Sequence, residues 1–260
     1  MREEIVTSVS EFIQLLSDKS MQGFTLFRGQ SHLKHKLLPS ILRVNNAGVR
    51  HYSDHCDKSF LNTFKSRSLP YIGSIHPKSD IEWMFTAQHF GLPTRLLDWS
   101  QSPLFALYFA IEKSMTAYED LDCPIVWCLN PIDLNVKVMY LGQRVDIPNI
   151  MENDATLENC ISQYYGIGVK REEILYPLSI IGPLNNSRIN AQKGAFTLFP
   201  LNAKPLEEME KTDEFLLKIK VNSEYVHEMK RELYNLGIKQ STLYPELNSI
   251  STDIIFEYNR

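Results

Sequence analysis

Apolar and polar positions alternate along the chain in patterns that indicate both helices and strands. Residues 3–17 have an amphipathic pattern that predicts an opening helix, with Ser8 or Ser10 as its cap. The next segment, Phe24–Arg28, is short and rich in aromatic residues, and Gly29 follows it. These features predict a strand that ends at Gly29.

The most apolar segment of the chain, residues 104–111, predicts a buried helix. Pro103 precedes it and occupies the first helical position, where proline is favoured. Another helix is predicted over residues 83–90, since Gly91 supplies a natural end and Pro93 blocks its continuation. Because the later helix is apolar on every side, we expect it at the centre of the fold. We interpret the residues between the two helices as a loop.

Strands and one amphipathic helix dominate the second half of the chain. Three segments have the apolar character of strands: residues 125–129, 195–198 and 215–221. In the last of these, apolar residues alternate with Lys218 and Lys220, which indicates that one face is solvated. Residues 223–236 predict a helix that ends at Gly237. Because no repeat or linker interrupts this order, we expect a single α+β domain over residues 1–260.

Composition narrows the class of protein. The chain has 260 residues, of which 43% are hydrophobic and 22% charged, so it is typical of a globular protein rather than a disordered or fibrous one. Its net charge of -4 excludes a protein that is basic overall, the usual property of non-specific nucleic-acid binders. The longest apolar run is far shorter than the ~20 residues of a membrane-spanning helix, and the first residues do not resemble a secretory signal. We therefore expect a cytoplasmic protein without a membrane partner.

Arg28 is the first candidate for chemistry, because it interrupts an apolar strand. It shares a strand face with Phe24 and Leu26, so its charge must be paired or must meet a ligand. An arginine at a strand end suits a phosphate or a carboxylate, while an internal pair with an acidic residue is the structural alternative. Residues 21–50 contain five basic residues and no acidic one. This stretch is either a basic wall for a polyanion or a solvated loop whose charges are balanced elsewhere.

The densest group of polar residues is the run from Gln88 to Trp99. It places Gln88, His89, Arg95 and Asp98 beside the predicted buried helix. Such a group usually lines a pocket or forms a network that fixes a loop. The structural alternatives for single residues are a core histidine with satisfied hydrogen bonds for His89 and a helix cap for Asp98.

Two later segments complete the candidate chemistry. A polar, glycine-containing loop from Arg188 to Gly194 leads into a predicted strand. Glu246 begins a predicted helix, so its structural alternative is a first-turn acid that favours the helix dipole. A histidine-rich stretch over residues 32–56 lacks the spacing of a common zinc site, and we expect no metal.

Together these segments resemble the FRG domain family, which is named for its Phe-Arg-Gly signature. The resemblance rests on Phe27–Gln30, Leu37–Ser40 with Arg43, Gln88–Trp99, Ala106–Ala110, Arg188–Phe196 and Leu243–Leu247. These motifs span about residues 20–255, so the resemblance predicts one domain over nearly the whole chain.

The family has been grouped by distant similarity with the ADP-ribosyltransferases, and the resemblance implies their fold and substrate. The implied fold is a split mixed sheet with surrounding helices that clasps NAD as a substrate. It has an arginine or histidine on the first strand, which matches Arg28, and a glutamate on a later strand. The carboxylates within matched motifs are Glu82, Asp98 and Glu246.

The resemblance also implies a set of site residues. The implied catalytic residues are Arg28, His89, Asp98 and Glu246, and the implied NAD-binding residues are Arg28, Gly29, Gln30, Gln88, Thr94, Arg95, Arg188 and Gln192. A carboxylate would stabilise the oxocarbenium character that develops on the ribose when nicotinamide leaves. The same carboxylate, or His89, would take a proton from the acceptor.

We therefore expect an NAD-consuming ADP-ribosyltransferase that modifies RNA, DNA or protein and acts as a toxin or an anti-phage defence effector. A toxin implies a neutralising antitoxin protein, and a basic wall would guide a nucleic-acid acceptor. Two alternatives stay open. One is a non-catalytic module that binds a nucleotide or nucleic acid, and the other is an interaction domain in which the polar run is purely structural.

Overall fold

A computed structural model gives the structure of the greater part of the chain. It describes residues 2–31, 36–53, 55–73, 77–112, 123–138, 146–171, 176–183 and 187–258, and for residues 187 and 188 the backbone alone. Within these residues the chain forms one mixed sheet of seven strands surrounded by ten helices. The prediction of a mixed α+β fold is therefore confirmed.

The sheet has the strand order β1-β7-β4-β2-β3-β6-β5. Its strands are β1 (Arg2–Val6), β2 (Leu26–Gln30), β3 (Leu96–Ser100), β4 (Ile125–Leu129), β5 (Leu178–Ile180), β6 (Gly194–Leu198) and β7 (Leu216–Val221). Strands β1 and β7 are parallel, and the other neighbours are antiparallel. Most of the sheet is therefore built from pairings between segments far apart in sequence.

The helices cover both faces of this sheet. They are α1 (Val9–Leu16), α2 (Cys56–Ser68), α3 (Asp80–His89), α4 (Pro103–Ile111), α5 (Pro131–Val136), α6 (Ala155–Cys160), α7 (Ser187–Ala191), α8 (Val226–Asn235), α9 (Gln240–Leu243) and α10 (Leu247–Tyr258). The predictions for α3, α4 and α8 are confirmed, as are those for β4, β6 and β7.

Three apolar cores hold the sheet and the helices together. Because side chains alternate across a strand, Leu26, Trp99 and Trp127 lie on one face, in a core shared by most of the strands. On the opposite face, Phe27 packs with residues of α1, α4 and α8, and we call this group the α4 core. Phe196 on the same face packs with residues of α3 and α6, and we call this group the α3 core. The α4 core and the α3 core meet above β2 and β3.

The sheet opens at its centre, between β2 and β3. These two strands share a single residue pair, Phe27 with Ser100, whereas β2 pairs with β4, and β3 with β6, along all five residues. Beyond the shared pair, Arg28 Nη1 donates a hydrogen bond to the Asp98 carbonyl oxygen at 2.6 Å. A side chain therefore bridges the gap that a backbone ladder would otherwise close.

The predicted opening helix is correct only from Val9 onward. Residues 2–6 form an edge strand instead, and Ser8 caps α1 by accepting a hydrogen bond from the Glu11 N–H. Glu3 forms ion pairs with Lys218 (3.1 Å) and Lys220, which both belong to the neighbouring strand β7. The helical prediction for 3–8 was wrong because pairing with β7, more than 200 residues away, outweighs a weak local helical signal.

Two further predictions were wrong near the centre of the fold. Gly29 does not end β2, which continues to Gln30. The residues between α3 and α4 are not only a loop, because Leu96–Ser100 form β3 and pair with β6. Asp98 therefore belongs to a strand, which rules out its alternative interpretation as a helix cap.

Lys230 closes the end of α4 and gives the fold a distinctive pH dependence. It is 6% exposed, and its ammonium group donates to the Glu112 carbonyl oxygen at 2.7 Å. Burial lowers the pKa of Lys230 from 10.5 to about 8, although the charge of Glu112 opposes this effect. The unfolded chain therefore binds this proton more tightly, so the contribution of Lys230 to the free energy of unfolding should rise as the pH passes from 8 to 10.5.

This effect can be isolated with Lys230→Met. The wild-type free energy of unfolding, minus that of the variant, should rise by up to about 3 kcal/mol across this range. Urea unfolding at several pH values measures the difference, and Lys19→Met on the exposed surface serves as the control. A difference that stays flat with pH would contradict the buried position of the ammonium group.

Among the helices within the described ranges, none has the length and apolarity that crossing a bilayer requires.

Candidate functional site

A cavity lies over the opening between β2 and β3, where the α4 core meets the α3 core. Its volume is about 360 Å³, within the usual range for small-molecule sites. Its lining consists of Phe27, Arg28, Gly29, Phe85, Gln88, His89, Asp98, Trp99, Ser100, Phe109, Ile189, Gln192, Phe196 and Tyr244. The lining therefore combines several aromatic rings with a small polar group.

Gly29 fixes one wall by letting α4 lie directly on β2. A Cβ atom at this position would come within 2.0 Å of the Ala106 carbonyl oxygen and 2.4 Å of the Ala110 nitrogen. Both neighbours are helix backbone, which cannot move aside as a side chain can. The glycine of the Phe-Arg-Gly signature thus serves helix–strand contact, and it brings Phe109 of α4 to the cavity.

Arg28 lies at the opening of the sheet, partly buried. One N–H is used by the Asp98 carbonyl oxygen, and Nε is shielded from solvent without a hydrogen-bond partner among the described residues. Burial lowers the pKa of the Arg28 guanidinium, the charge of Asp98 opposes this, and Arg43 adds to it. Arg28 therefore holds β2 and β3 at a fixed separation and places positive charge at the cavity.

Asp98 presents the carboxylate of the cavity. It lies opposite Phe196 in the β3–β6 ladder and shares that residue's face, and its side chain is exposed. Gln88, near the end of α3, donates from Nε2 to Asp98 Oδ1 at 2.8 Å. Among the described lining residues Asp98 is the one carboxylate, so negative charge in the cavity has a single source.

His89 follows Gln88 as the last residue of α3 and also lines the cavity. Its ring meets the Phe90 ring edge to face, with 4.9 Å between the centroids. Because Gly91 has a φ of +83°, the chain turns sharply after α3 and returns into β3. This turn brings both polar residues of α3 next to Asp98.

The opposite wall comes from the loop after α7 and from the end of α9. Ser100 Oγ donates to the Gln192 carbonyl oxygen at 2.7 Å, and Gln192 Nε2 donates to the Leu243 carbonyl oxygen at 3.1 Å. Tyr244 meets Phe109 edge to face, with 6.0 Å between the centroids. Sequence reasoning included Gln192 but missed Ser100, Phe109 and Tyr244. The available signal was that Phe109 and Tyr244 lie within matched motif segments and that Ser100 directly follows one.

Arg95 lies outside the cavity and supports the fold. It is fully buried, and its guanidinium donates to the carbonyl oxygens of Phe199 (2.8 Å), Tyr165 (2.7 Å) and Gly166 (2.9 Å). Its Nε lies 3.4 Å from the carboxylate of buried Asp57. Burial lowers the pKa of Arg95 to about 10, against the effect of Asp57. All of these partners are internal, so the geometry gives Arg95 no contact with a ligand in the cavity.

The remaining residues of the predicted site lie around the cavity or away from it. Gln30 is buried on the opposite face of the sheet, where its Oε1 accepts from Trp127 Nε1 at 2.8 Å. Thr94 is buried behind Gln88. Glu246 is exposed just before α10, outside the lining, and the side chain of Arg188 lies outside the described residues.

The basic side chains of residues 36–50 contact the rest of the fold in different ways. Lys36 pairs with Glu208 at 2.8 Å, Arg43 donates to the Leu38 carbonyl oxygen at 3.1 Å, and Arg50 donates to the Leu201 carbonyl oxygen at 2.7 Å. Lys34 lies outside the described residues. Of these contacts, the Lys36–Glu208 pair joins opposite charges, whereas a carbonyl oxygen orients a guanidinium without neutralising it. Both interpretations of the stretch, a basic wall and a loop with balanced charges, therefore stay predictions.

Metal binding finds no support in the described part of the chain. Within it, no three His, Cys, Asp or Glu side chains come together in a group that could hold an ion. His32 and His35, from the histidine-rich stretch, lie outside the described residues.

Comparison with known proteins covers the part of the chain that builds one side of the cavity. No curated protein and no solved structure matches the chain. Residues 24–119 match the model of the FRG domain, and they include β2, α3, β3 and α4 with Arg28, Gln88, His89 and Asp98. The match ends before Gln192 and Tyr244, so the wider span of the resemblance stays a prediction. Residues 24–119 thus carry the sequence pattern of the FRG domain family.

Proposed function

We propose that the chain is an ADP-ribosyltransferase that binds NAD in the cavity between α3 and α4. The observation that carries the proposal is the convergence of Arg28, Gln88, His89 and Asp98 on one cavity at the opening of the sheet. The resemblance implies a split sheet around NAD, an arginine or histidine on the first strand and a glutamate on a later one. In this proposal Arg28 on β2 is the arginine, and Asp98 on β3 takes the place of the glutamate.

The aromatic lining suits the nicotinamide end of NAD. Nicotinamide in NAD is a planar ring with a positive charge, and aromatic faces attract cationic groups. Phe85, Phe109, Phe196 and Tyr244 line the cavity on several sides of Asp98. A cationic ring enclosed by these side chains would lie near the carboxylate, while Arg28 suits the phosphate-bearing part.

The proposed reaction transfers a ribosyl group. The bond between the ribose C1 and the nicotinamide nitrogen breaks, and nicotinamide leaves with the electron pair. Positive charge then develops on the ribose, where the Asp98 carboxylate stabilises it. An acceptor oxygen or nitrogen forms the new bond to C1 and gives its proton to His89 or Asp98.

The acceptor in this proposal is RNA, DNA or protein, as the resemblance implies. The roles as toxin or defence effector, and the neutralising antitoxin, come from the resemblance alone and are part of the same proposal.

The decisive test is Asp98→Asn, which removes the charge and keeps the shape. NAD consumption and label transfer from adenine-labelled NAD to lysate proteins and RNA should fall by about 100-fold or more. Because Asp98 is exposed, the melting temperature should change little. Asp213→Asn, at an exposed position away from the cavity, is the matched control.

The other outcomes are also informative. A loss of activity in Glu246→Gln but not in Asp98→Asn would move the catalytic carboxylate to the segment before α10. If the wild-type protein releases no nicotinamide and labels no macromolecule, the enzyme proposal fails.

The alternative is a non-catalytic module that binds a nucleotide. The described lining contains no glutamate, which is the acid that the resemblance implies, and this observation favours the alternative. The aromatic rings, Arg28 and Asp98 suffice for binding without turnover. Calorimetry with NAD would then show saturable binding in the absence of any nicotinamide release.

A further inference from the structure

We propose that Thr94 is a positioning residue, which fixes the orientation of the Asp98 carboxylate through Gln88. Thr94 is 5% exposed and does not line the cavity. Its hydroxyl donates to Gln88 Oε1, and Gln88 Nε2 donates to Asp98 Oδ1 at 2.8 Å. The resemblance implies NAD contact for Thr94, whereas the geometry assigns it a role behind the ligand. The kinetic part of this inference rests on the proposed function.

In the series of hydrogen bonds from Thr94 through Gln88 to Asp98, the donor and the acceptor of each bond are determined. The Leu96 backbone N–H donates to Thr94 Oγ at 3.2 Å, so the hydroxyl hydrogen of Thr94 is free to point elsewhere. It points to Gln88, and only the amide oxygen of that side chain accepts hydrogen bonds. The amide NH₂ group must therefore face Asp98, whose ionised carboxylate accepts and cannot donate.

Without the Thr94 hydroxyl, the amide oxygen of Gln88 would lose its donor, and the bond to Asp98 alone would hold the side chain. An amide can exchange its oxygen and NH₂ group by a half-turn of the last torsion, and the reversed form would direct an oxygen at the carboxylate. Two acceptors that face each other repel, so Asp98 would leave the position that Gln88 now holds. Because Asp98 is exposed, water would then compete for it, and its side chain would sample several rotamers.

The Asp98 carboxylate has one oxygen that accepts a hydrogen bond from Gln88 and one that can bind a ligand. Oδ1 accepts from Gln88, whereas no described residue donates to Oδ2. Thr94 therefore leaves a single carboxylate oxygen for the ligand and holds it on a rigid strand. Displacements of about 1 Å in such groups typically lower rates by around 100-fold, which makes a distant hydroxyl important for catalysis.

The test compares Thr94→Val with Thr94→Ser. Valine keeps the shape and removes the hydroxyl, whereas serine keeps the hydroxyl. Thr86→Val is the matched control, because Thr86 lies on α3 two residues from Gln88 and, among the described residues, its hydroxyl bonds only to the Glu82 carbonyl oxygen, at 3.0 Å. The readouts are the NMR signals of the Gln88 side-chain NH₂ group, assigned by their absence in Gln88→Met, and kcat and KM for NAD.

We expect Thr94→Val to shift the Gln88 NH₂ signals and to lower kcat by about 10-fold or more with a smaller change in KM. Thr94→Ser should restore the signals and most of kcat, and Thr86→Val should leave the signals in place. Gln88 signals that stay unchanged in Thr94→Val would overturn the inference, as would a shift without any change in kcat. If the wild-type protein does not turn over NAD, the proposed function fails, and the Gln88 signals alone decide whether Thr94 positions this side chain.

Discussion

Replacing Gly29 with alanine should destabilise the protein by more than about 4 kcal/mol, and little folded protein should accumulate. The added Cβ would lie 2.0 Å from the Ala106 carbonyl oxygen and 2.4 Å from the Ala110 nitrogen, far inside van der Waals contact. Both atoms belong to the α4 backbone, so relief requires the whole helix to move away from β2. That movement would disrupt the α4 core, and effects of this size arise only from a few mechanisms, of which overpacking is one.

The control for Gly29→Ala is Gly237→Ala. Gly237 has a φ of +81° with no atom within 4 Å of an added Cβ, so alanine there meets backbone strain and no clash. Its cost should be about 1 kcal/mol. Urea unfolding of both variants measures the contrast. Equal stability losses at the two positions would mean that α4 does not rest on β2 as described.

Replacing Arg95 with methionine should destabilise the protein by about 3 to 5 kcal/mol. The guanidinium satisfies three buried carbonyl oxygens and lies beside the Asp57 carboxylate, which is 6% exposed. Methionine fills similar space but removes three hydrogen-bond donors and leaves Asp57 without a cation, although the Gly166 oxygen keeps the Val169 N–H as a donor. Removing one partner of a buried pair is costly, because the other charge stays buried.

A double-mutant cycle sharpens the Arg95 prediction. Asp57→Leu together with Arg95→Met should be less destabilised than the sum of the single variants, since the stranded charge is removed. Arg231→Met on the exposed surface should change the unfolding free energy by less than about 0.5 kcal/mol. If the protein binds NAD as proposed, the affinity of the folded variant for NAD should equal that of the wild type. A selective loss of NAD affinity without destabilisation would instead place Arg95 in the ligand site.

The elements that sequence predicts well are those with local signals. Helix α4 has proline at its first position and a continuous apolar run, and α3 ends at a glycine in the left-handed region. Strand β3 was predicted to be a loop because it pairs mainly with β6, about 100 residues later in the sequence. Strand β1 was assigned to a helix for the same reason, since its partner β7 lies still farther along the chain.

The candidate site was predictable in part, for the same physical reason. Gln88, His89 and Asp98 are close in sequence, so a dense polar run already indicated a shared location. The structure adds Tyr244 and the bonds of Gln192, which depend on how α7 and α9 pack. Arg95 belongs to the same polar run but points away, and only its contacts with Asp57 and the turn at Tyr165 and Gly166 explain this.

The position of the cavity between two separate cores has a consequence for how such a fold can diversify. Apart from Arg28, which joins β2 to β3, the polar side chains of the cavity belong to neither core. Substitutions of those side chains can change the chemistry of the cavity at little expense in folding. The anchors of the frame, Gly29 and Arg95, lack this freedom. Selection can therefore vary the residues at the β2–β3 opening while the α4 core and the α3 core stay unchanged.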